Sequence, residues 1–313
     1  MRREFSMTNN QKGNEQYTSL VAEAKEELNR DLVSRALDTL KSAYQLQQTE
    51  EVNHLLVTTL VAQGQYQEAQ TIADEYLSSY AKDEQSARIY LDLSLHNHYF
   101  LNAWEFLTWL TEGVQKKLQP EVVDAENFYR LNQEKTIRTI ARQFYHLSDG
   151  NTVEQQKRLL AANKLPLNDY LIGAKFALRD PFLSQISRTA VLDQLRRLRN
   201  NESVEFLDLD GYTQTYIPAS LTALNQNKIY NNILNELDKY AKTLGADMVH
   251  GLSEQVHLLL MIAYPELSTV VQDVTSWVDG LVAETFGYPM PNEPDGQATW
   301  RKKAQKSLME LLN

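Results

Sequence analysis

The stretch Ala62-Gln63-Gly64-Gln65-Tyr66-Gln67-Glu68-Ala69, followed by Ile72-Ala73 and Tyr76-Leu77, decides how this chain is read. Gly64 permits a sharp turn after one helix. Tyr66 follows two positions later, and Ala69 is small enough to let a second helix approach the first closely. Working outward, Ala36 in Ser34-Arg35-Ala36-Leu37-Asp38-Thr39-Leu40 lies 33 residues earlier. Ala103, in Tyr99-Phe100-Leu101-Asn102-Ala103-Trp104-Glu105-Phe106-Leu107, lies 34 residues later. A fixed period of this size is the signature of stacked helical hairpins. Three units are expected, over 17–49, 50–83 and 84–118, each with two apolar-periodic segments and a short polar turn.

The segment around Gly64 resembles the turn and second helix of a tetratricopeptide repeat, a family whose period is 34. The first unit has Asn29-Arg30 where Gly is usual, the third has Asn97-His98, and a closing proline occurs only as Pro120. The resemblance covers the first third of the chain. It implies an α-α superhelix built from helical hairpins. The whole chain is similar to uncharacterised Gram-positive bacterial proteins with such repeats at the front. In those a helix opening Asp-Pro-Phe-Leu follows, here Asp180-Pro181-Phe182-Leu183, then a short hairpin and further helices. That resemblance implies a fold and a cytoplasmic setting, and no activity.

Composition agrees with an all-α chain. Only 8 Pro and 11 Gly punctuate 313 residues, and 42% of residues are apolar, which favours long helices with short connections. The net charge of −10 repels phosphate backbones and anionic membrane surfaces, so neither nucleic acid nor membrane is expected as a partner. The chain has no cysteine, which excludes disulfides, thiolate metal sites and cysteine nucleophiles. No apolar run is long enough to span a membrane. The start, Met1 to Met7, has charge without an apolar stretch behind it, so no secretory signal is expected. Residues 1–15 read as a disordered polar tail.

Past 118 the register is lost but the helical pattern continues. Glu121–Leu131 and Glu134–Leu147 read as helices, and Ser148-Asp149-Gly150-Asn151 breaks the second. Helices are then predicted from Thr152, from Pro166 to Leu178, and from Phe182 to Leu198 behind an Asp180-Pro181 cap. Residues 119–200 thus form a helical segment, possible degenerate repeats. The region 201–313 opens with two β-type runs, 203–209 and 212–217, around Asp210-Gly211, and reads as a hairpin lying against a helix. Helices follow over 227–244, 247–263, 268–286 and 299–312. The Pro-rich loop 288–296 reads as an exposed, mobile segment.

No phosphate loop, nucleotide fingerprint, nucleophile elbow or His-Glu-x-x-His motif occurs. His96-Asn97-His98 suits a turn better than a shared metal. His250 and His257, seven apart with Asp247 and Glu254 nearby, could form a carboxylate–histidine site. The bland reading, ordinary surface histidines, is preferred. Acidic pairs such as Glu26-Glu27, Glu50-Glu51 and Asp208/Asp210 read as solvated faces, and Arg196-Arg197-Leu198-Arg199 as cations complementing a helix C-terminus. Phe100, Trp104, Phe106 and Trp109 read mainly as core, with any exposed member a binding anchor. No catalytic, metal or cofactor residue is assigned.

Stacked hairpins curve, and the first helices of successive units line the concave side. Fifth, ninth and thirteenth positions should face it: Val21, Lys25 and Asn29; His54, Thr58 and Ala62; Arg88, Asp92 and His96. The expected partner-binding groove is Lys25, His54, Thr58, Arg88, Asp92 and His96, a mildly basic stripe suited to an acidic or extended segment. The Lys/Asn/Arg set with which some tetratricopeptide domains clamp a C-terminal carboxylate is incomplete here. The expected function is therefore a non-enzymatic module that holds a partner protein or peptide. The alternatives are a cytoplasmic peptide-sensing regulator acting through a protein partner, and an enzyme with a site near His250 and His257.

Overall fold

A computed structural model describes residues 2–312, with side chains described for residues 12–310. Among these, 74% of residues are helical and one two-stranded antiparallel sheet is present, so the chain is all-α with a single β-hairpin. It divides into two compact units, residues 1–132 and 133–313.

The first unit contains α1 (Arg2–Asn29), α2 (Val33–Leu46), α3 (Glu50–Ala62), α4 (Tyr66–Asp74), α5 (Leu77–Tyr80), α6 (Glu84–His96), α7 (Phe100–Leu107) and α8 (Glu112–Asn132). The pairs α1/α2, α3/α4 and α6/α7 pack as hairpins. Their turns repeat in backbone detail. Asp31, Gly64 and His98 each have positive φ, 59°, 70° and 58°. The following amide reaches back to the helix each time: Leu32 N to Glu27 O at 2.9 Å, Gln65 N to Leu60 O at 2.9 Å, Tyr99 N to Ser94 O at 2.8 Å. These are Schellman closures, which satisfy carbonyls left open at a helix end. Gly64 is therefore one of three equivalent left-handed residues, and the units that lack glycine make the same turn with Asp31 and His98.

The small residues sit where close approach requires them. Ala36, Ala69 and Ala103 are all completely buried, each five residues past its turn. Around them Leu40, Leu56, Leu60, Leu91 and Phe106 form one core. Complete burial of such a side chain contributes about 1.5–3 kcal/mol. Thr49 caps α3 by accepting from Val52 N, and Asp83 caps α6 by accepting from Ser86 N. Polar side chains tie these helices together. Asn53 donates to Ile72 O at 2.6 Å and accepts from Tyr80 Oη at 2.8 Å. Asp74 accepts from Tyr90 Oη at 2.6 Å and Gln70 Nε2 at 2.9 Å. Burial pushes the Asp74 carboxyl upward, and these two donors partly offset that.

Two expectations for this unit change. The tail 1–15, expected to be disordered, is helical from Arg2 onward, as the first turns of α1; no proline interrupts residues 2–29, so no backbone donor of the helix is missing. Pro120 does not end a helix but lies inside α8. Proline removes one backbone bond, and the fold keeps the helix because Leu118, Val122 and Tyr129, on both sides of it, are buried.

The second unit contains α9 (Glu134–Tyr145), α10 (Thr152–Ala162), α11 (Leu167–Ala177), α12 (Gln185–Arg197), β1 (Val204–Leu207), β2 (Thr213–Tyr216), α13 (Lys228–Asp238), α14 (Ala241–Leu244), α15 (Ala246–Ala263), α16 (Leu267–Val270), α17 (Val274–Phe286) and α18 (Asp295–Leu312). Helix α9 packs on α10 and α11, α12 on α15, and α15 on α18. The hairpin register pairs Val204 with Tyr216 and Leu207 with Thr213. Val204 and Phe206 are buried, and Leu207 N donates to Leu178 O at 3.0 Å, so β1 lies against the end of α11.

Several boundaries differ from the sequence reading. Helix α12 starts at Gln185, capped by Ser184, because Asp180 instead accepts from Phe182 N in a turn. The hairpin connection is longer than two residues. Asp208 N bonds to Tyr212 O, and the Asp208 carboxylate accepts from the amides of Asp210 and Tyr212. The expected helix 268–286 is split, since Asp273 caps α17 through Ser276 N. That over 227–244 is split into α13 and α14, with Tyr240 between them donating to Asp279 at 2.6 Å. The last helix starts at Asp295 rather than Thr299. The loop 288–296 is tied down by Glu293, which pairs with the fully buried Arg301.

Candidate functional site

The six predicted groove residues fall into three settings in the first unit. Lys25 and His54 share a shallow depression of about 540 Å³ with Glu50 and Glu51. Lys25 Nζ is 2.5 Å from Glu51 Oε1. His54 Nε2 is 2.7 Å from Ser79 Oγ, and its ring stacks on Tyr80 with centroids 4.1 Å apart. Burial holds the His54 imidazole below the usual histidine range.

Arg88 stands apart from that pair. Its guanidinium lies 2.7 Å from Glu121 and 3.4 Å from Glu84, and Glu84 also holds Lys117 at 2.7 Å. The expected basic stripe is thus neutralised by carboxylates from adjacent helices. Helices whose first turns carry Glu50, Glu51 and Glu84 place acids beside Lys25 and Arg88. Val21, also expected there, is buried in the core instead.

Thr58, Asp92 and His96 do converge, in a cavity of about 670 Å³ between α3, α6 and α8. Its walls are apolar and aromatic. The His96 ring stacks on Tyr66 at 4.1 Å. His98, held by its left-handed backbone, packs at 4.5 Å from Tyr129. Phe128 lines the same cavity and is 70% exposed, a large apolar surface left uncovered. Asp92 sits among these groups with its carboxyl raised by burial and by Glu121, and drawn down less by Arg88 and His96.

Tyr66, His98 and Phe128 were not foreseen as groove residues. Phe128 was missed because its helix was broken at Pro120; one continuous α8 would have placed it against the third hairpin. The Trp residues divide: Trp104 donates to Glu126 at 2.7 Å, and Trp109 is 51% exposed.

In the second unit the candidate metal cluster is not assembled. His250 lies 3.5 Å from Glu254, while His257 meets Tyr230 Oη at 3.2 Å. Among the described residues no group of three potential metal ligands is found. A trough of about 700 Å³, with Leu159, Ile186, Ala190, Leu258 and Leu308 on its walls, lies between α10, α12, α15 and α18. No helix among the described residues is long and apolar enough to cross a membrane. Compared with protein-family models, curated proteins and solved structures, the chain matches none of them.

Proposed function

We propose that the first unit is a tetratricopeptide-type docking module that holds an extended segment of a partner protein, and that the chain works by binding rather than by catalysis. One observation carries this reading: the concave cavity that gathers Thr58, Asp92 and His96 is lined by exposed aromatic surface at Phe128. Exposed aromatic side chains in a depression are what interface anchors require. The repeat assignment is supported by the recurrence of left-handed residues at 31, 64 and 98 and of buried Ala36, Ala69 and Ala103.

Site-specific photo-crosslinking tests the proposal. A benzophenone side chain placed at Thr58 should capture one set of partner peptides in cells, and the same group at Gln67, exposed on α4, should not. Equal capture at both positions, or none at Thr58, would remove the groove as the docking surface.

A further inference from the structure

The charges around the cavity select a different ligand from the basic stripe read from sequence. Five charged side chains cluster here: Glu84, Asp92 and Glu121 against Arg88 and Lys117. Both cations are consumed, Arg88 by Glu121 and Glu84, Lys117 by Glu84. Among the described residues no hydrogen bond or ion pair engages the Asp92 carboxylate. Arg88 one turn before it and His96 one turn after it act on it only through the field. The cluster therefore carries an excess negative charge, and that charge sits at Asp92, inside a cavity with aromatic walls.

We infer that this cavity receives a partner segment that sets a Lys or Arg side chain on Asp92, with its flanking apolar residues over Phe128 and the Tyr66–His96 stack. The inference rests on the docking function proposed above and names the chemistry of the occupant. Three arguments favour a cation. A charged carboxylate in a partly desolvated site is stabilised by a cation more than by any neutral group. Aromatic faces attract guanidinium and ammonium groups, and arginine in particular. The aliphatic stem of either side chain covers apolar wall while its head meets the carboxylate. An acidic side chain would instead meet Asp92 and Glu121, a like-charge encounter that disfavours it.

A positional-scanning library of acetylated, amidated hexapeptides tests this on the full chain. One position at a time is held as Arg, Lys, Gln, Leu or Glu, and retention on immobilised protein is read by mass spectrometry. Arg and Lys should be enriched roughly tenfold over Glu and Gln, the scale of one charge-assisted hydrogen bond. The enrichment should vanish in Asp92→Asn, whose exposed, unpaired position makes it fold normally; a thermal melt confirms that. The acidic chain attracts cationic peptides everywhere, so enrichment that survives Asp92→Asn overturns the assignment to this residue. Enrichment of Glu overturns the cationic class while leaving the groove as a peptide site. Enrichment of nothing overturns the inference and the docking function together.

Discussion

Arg301 donates to both carboxylate oxygens of Glu293, at 2.6 and 2.7 Å, with its own side chain completely buried. A second fork reaches Glu284 at 2.8 and 3.0 Å. Burial by itself lowers the pKa of the guanidinium, but the bonds to Glu293 and Glu284 outweigh it and raise the pKa. The Glu293 carboxyl is likewise opposed by burial and held below its usual range by Arg301 and Gln297. Gly280 makes room, since a Cβ there would overlap Arg301 Nη2 and lie 2.7 Å from Glu293 Oε1.

Removing the cation should therefore leave two largely buried carboxylates with no opposite charge, each keeping only one glutamine donor, Gln297 for Glu293 and Gln305 for Glu284. Arg301→Leu is expected to destabilise the second unit by about 3–5 kcal/mol, read by urea unfolding, and Gly280→Ala should also destabilise it. Because the folded-state pKa of Glu293 is depressed, its contribution is present above the ordinary glutamate range and is lost as pH falls through the folded value. Wild-type stability should drop on acidification below about pH 4.3, and Glu293→Gln should flatten that drop.

His54 sets a second pH window by the same logic. Its folded pKa is lowered by burial, so the folded state binds fewer protons than the unfolded chain. Stability contributed by neutral His54 is complete above about pH 6.5 and declines as pH falls toward the folded value. The melting temperature should fall between pH 7 and 5, and less steeply in His54→Gln.

The polar joint between hairpins should be as sensitive as the apolar core. Asn53 is fully buried and bonded to Ile72 O, Tyr44 and Tyr80. Tyr80→Phe removes one donor and leaves the Asn53 oxygen short of a partner, for a cost of about 1–3 kcal/mol. Denaturant titration of the variant measures it, and a loss of well under that range would mean the amide oxygen finds another donor.

The turn residues make opposite predictions at equivalent positions. Gly64→Ala puts a Cβ into a left-handed backbone and should destabilise by about 1 kcal/mol. Asp31→Gly, at an exposed residue in the same conformation, should be neutral or stabilising. If both substitutions behave alike, the two turns are not equivalent in solution.

Gly251 lies in the middle of α15 with nothing within 4 Å of an added Cβ. Alanine there lowers the entropy cost of the helix without a clash, so Gly251→Ala should raise stability by about 0.5–1 kcal/mol. A loss of stability would show that the trough beside it closes in solution.

Much of the first unit was legible because its signals are local. Gly64, Tyr66 and the Ala36/Ala69/Ala103 spacing encode turns and close contacts within one hairpin, and the left-handed positions at 31, 64 and 98 follow the same period. Apolar periodicity located most of the helices, and Val204 to Tyr216 declared a hairpin through β-rich residues around Asp210-Gly211. The errors fell where a local signal was overruled. Pro120 reads as a stop, but burial on both sides of it keeps α8 whole. Asp180-Pro181 reads as a cap, but Ser184 supplies it.

The groove was only half legible. Helical periodicity put Thr58, Asp92 and His96 on one face, and the structure gathers them. It could not show that Glu51 would sit on Lys25 or Glu121 on Arg88, nor that Phe128 would close the wall. The two ion pairs join residues 26 and 33 positions apart on different helices, whose meeting depends on hairpin packing. The sequence by itself determined the helices, their turns and the repeat spacing, because hydrogen bonding and apolar period act within a few residues. Only the tertiary structure decided which charges are cancelled and which carboxylate is left in a cavity, because electrostatic partners are chosen by distance in space and by burial.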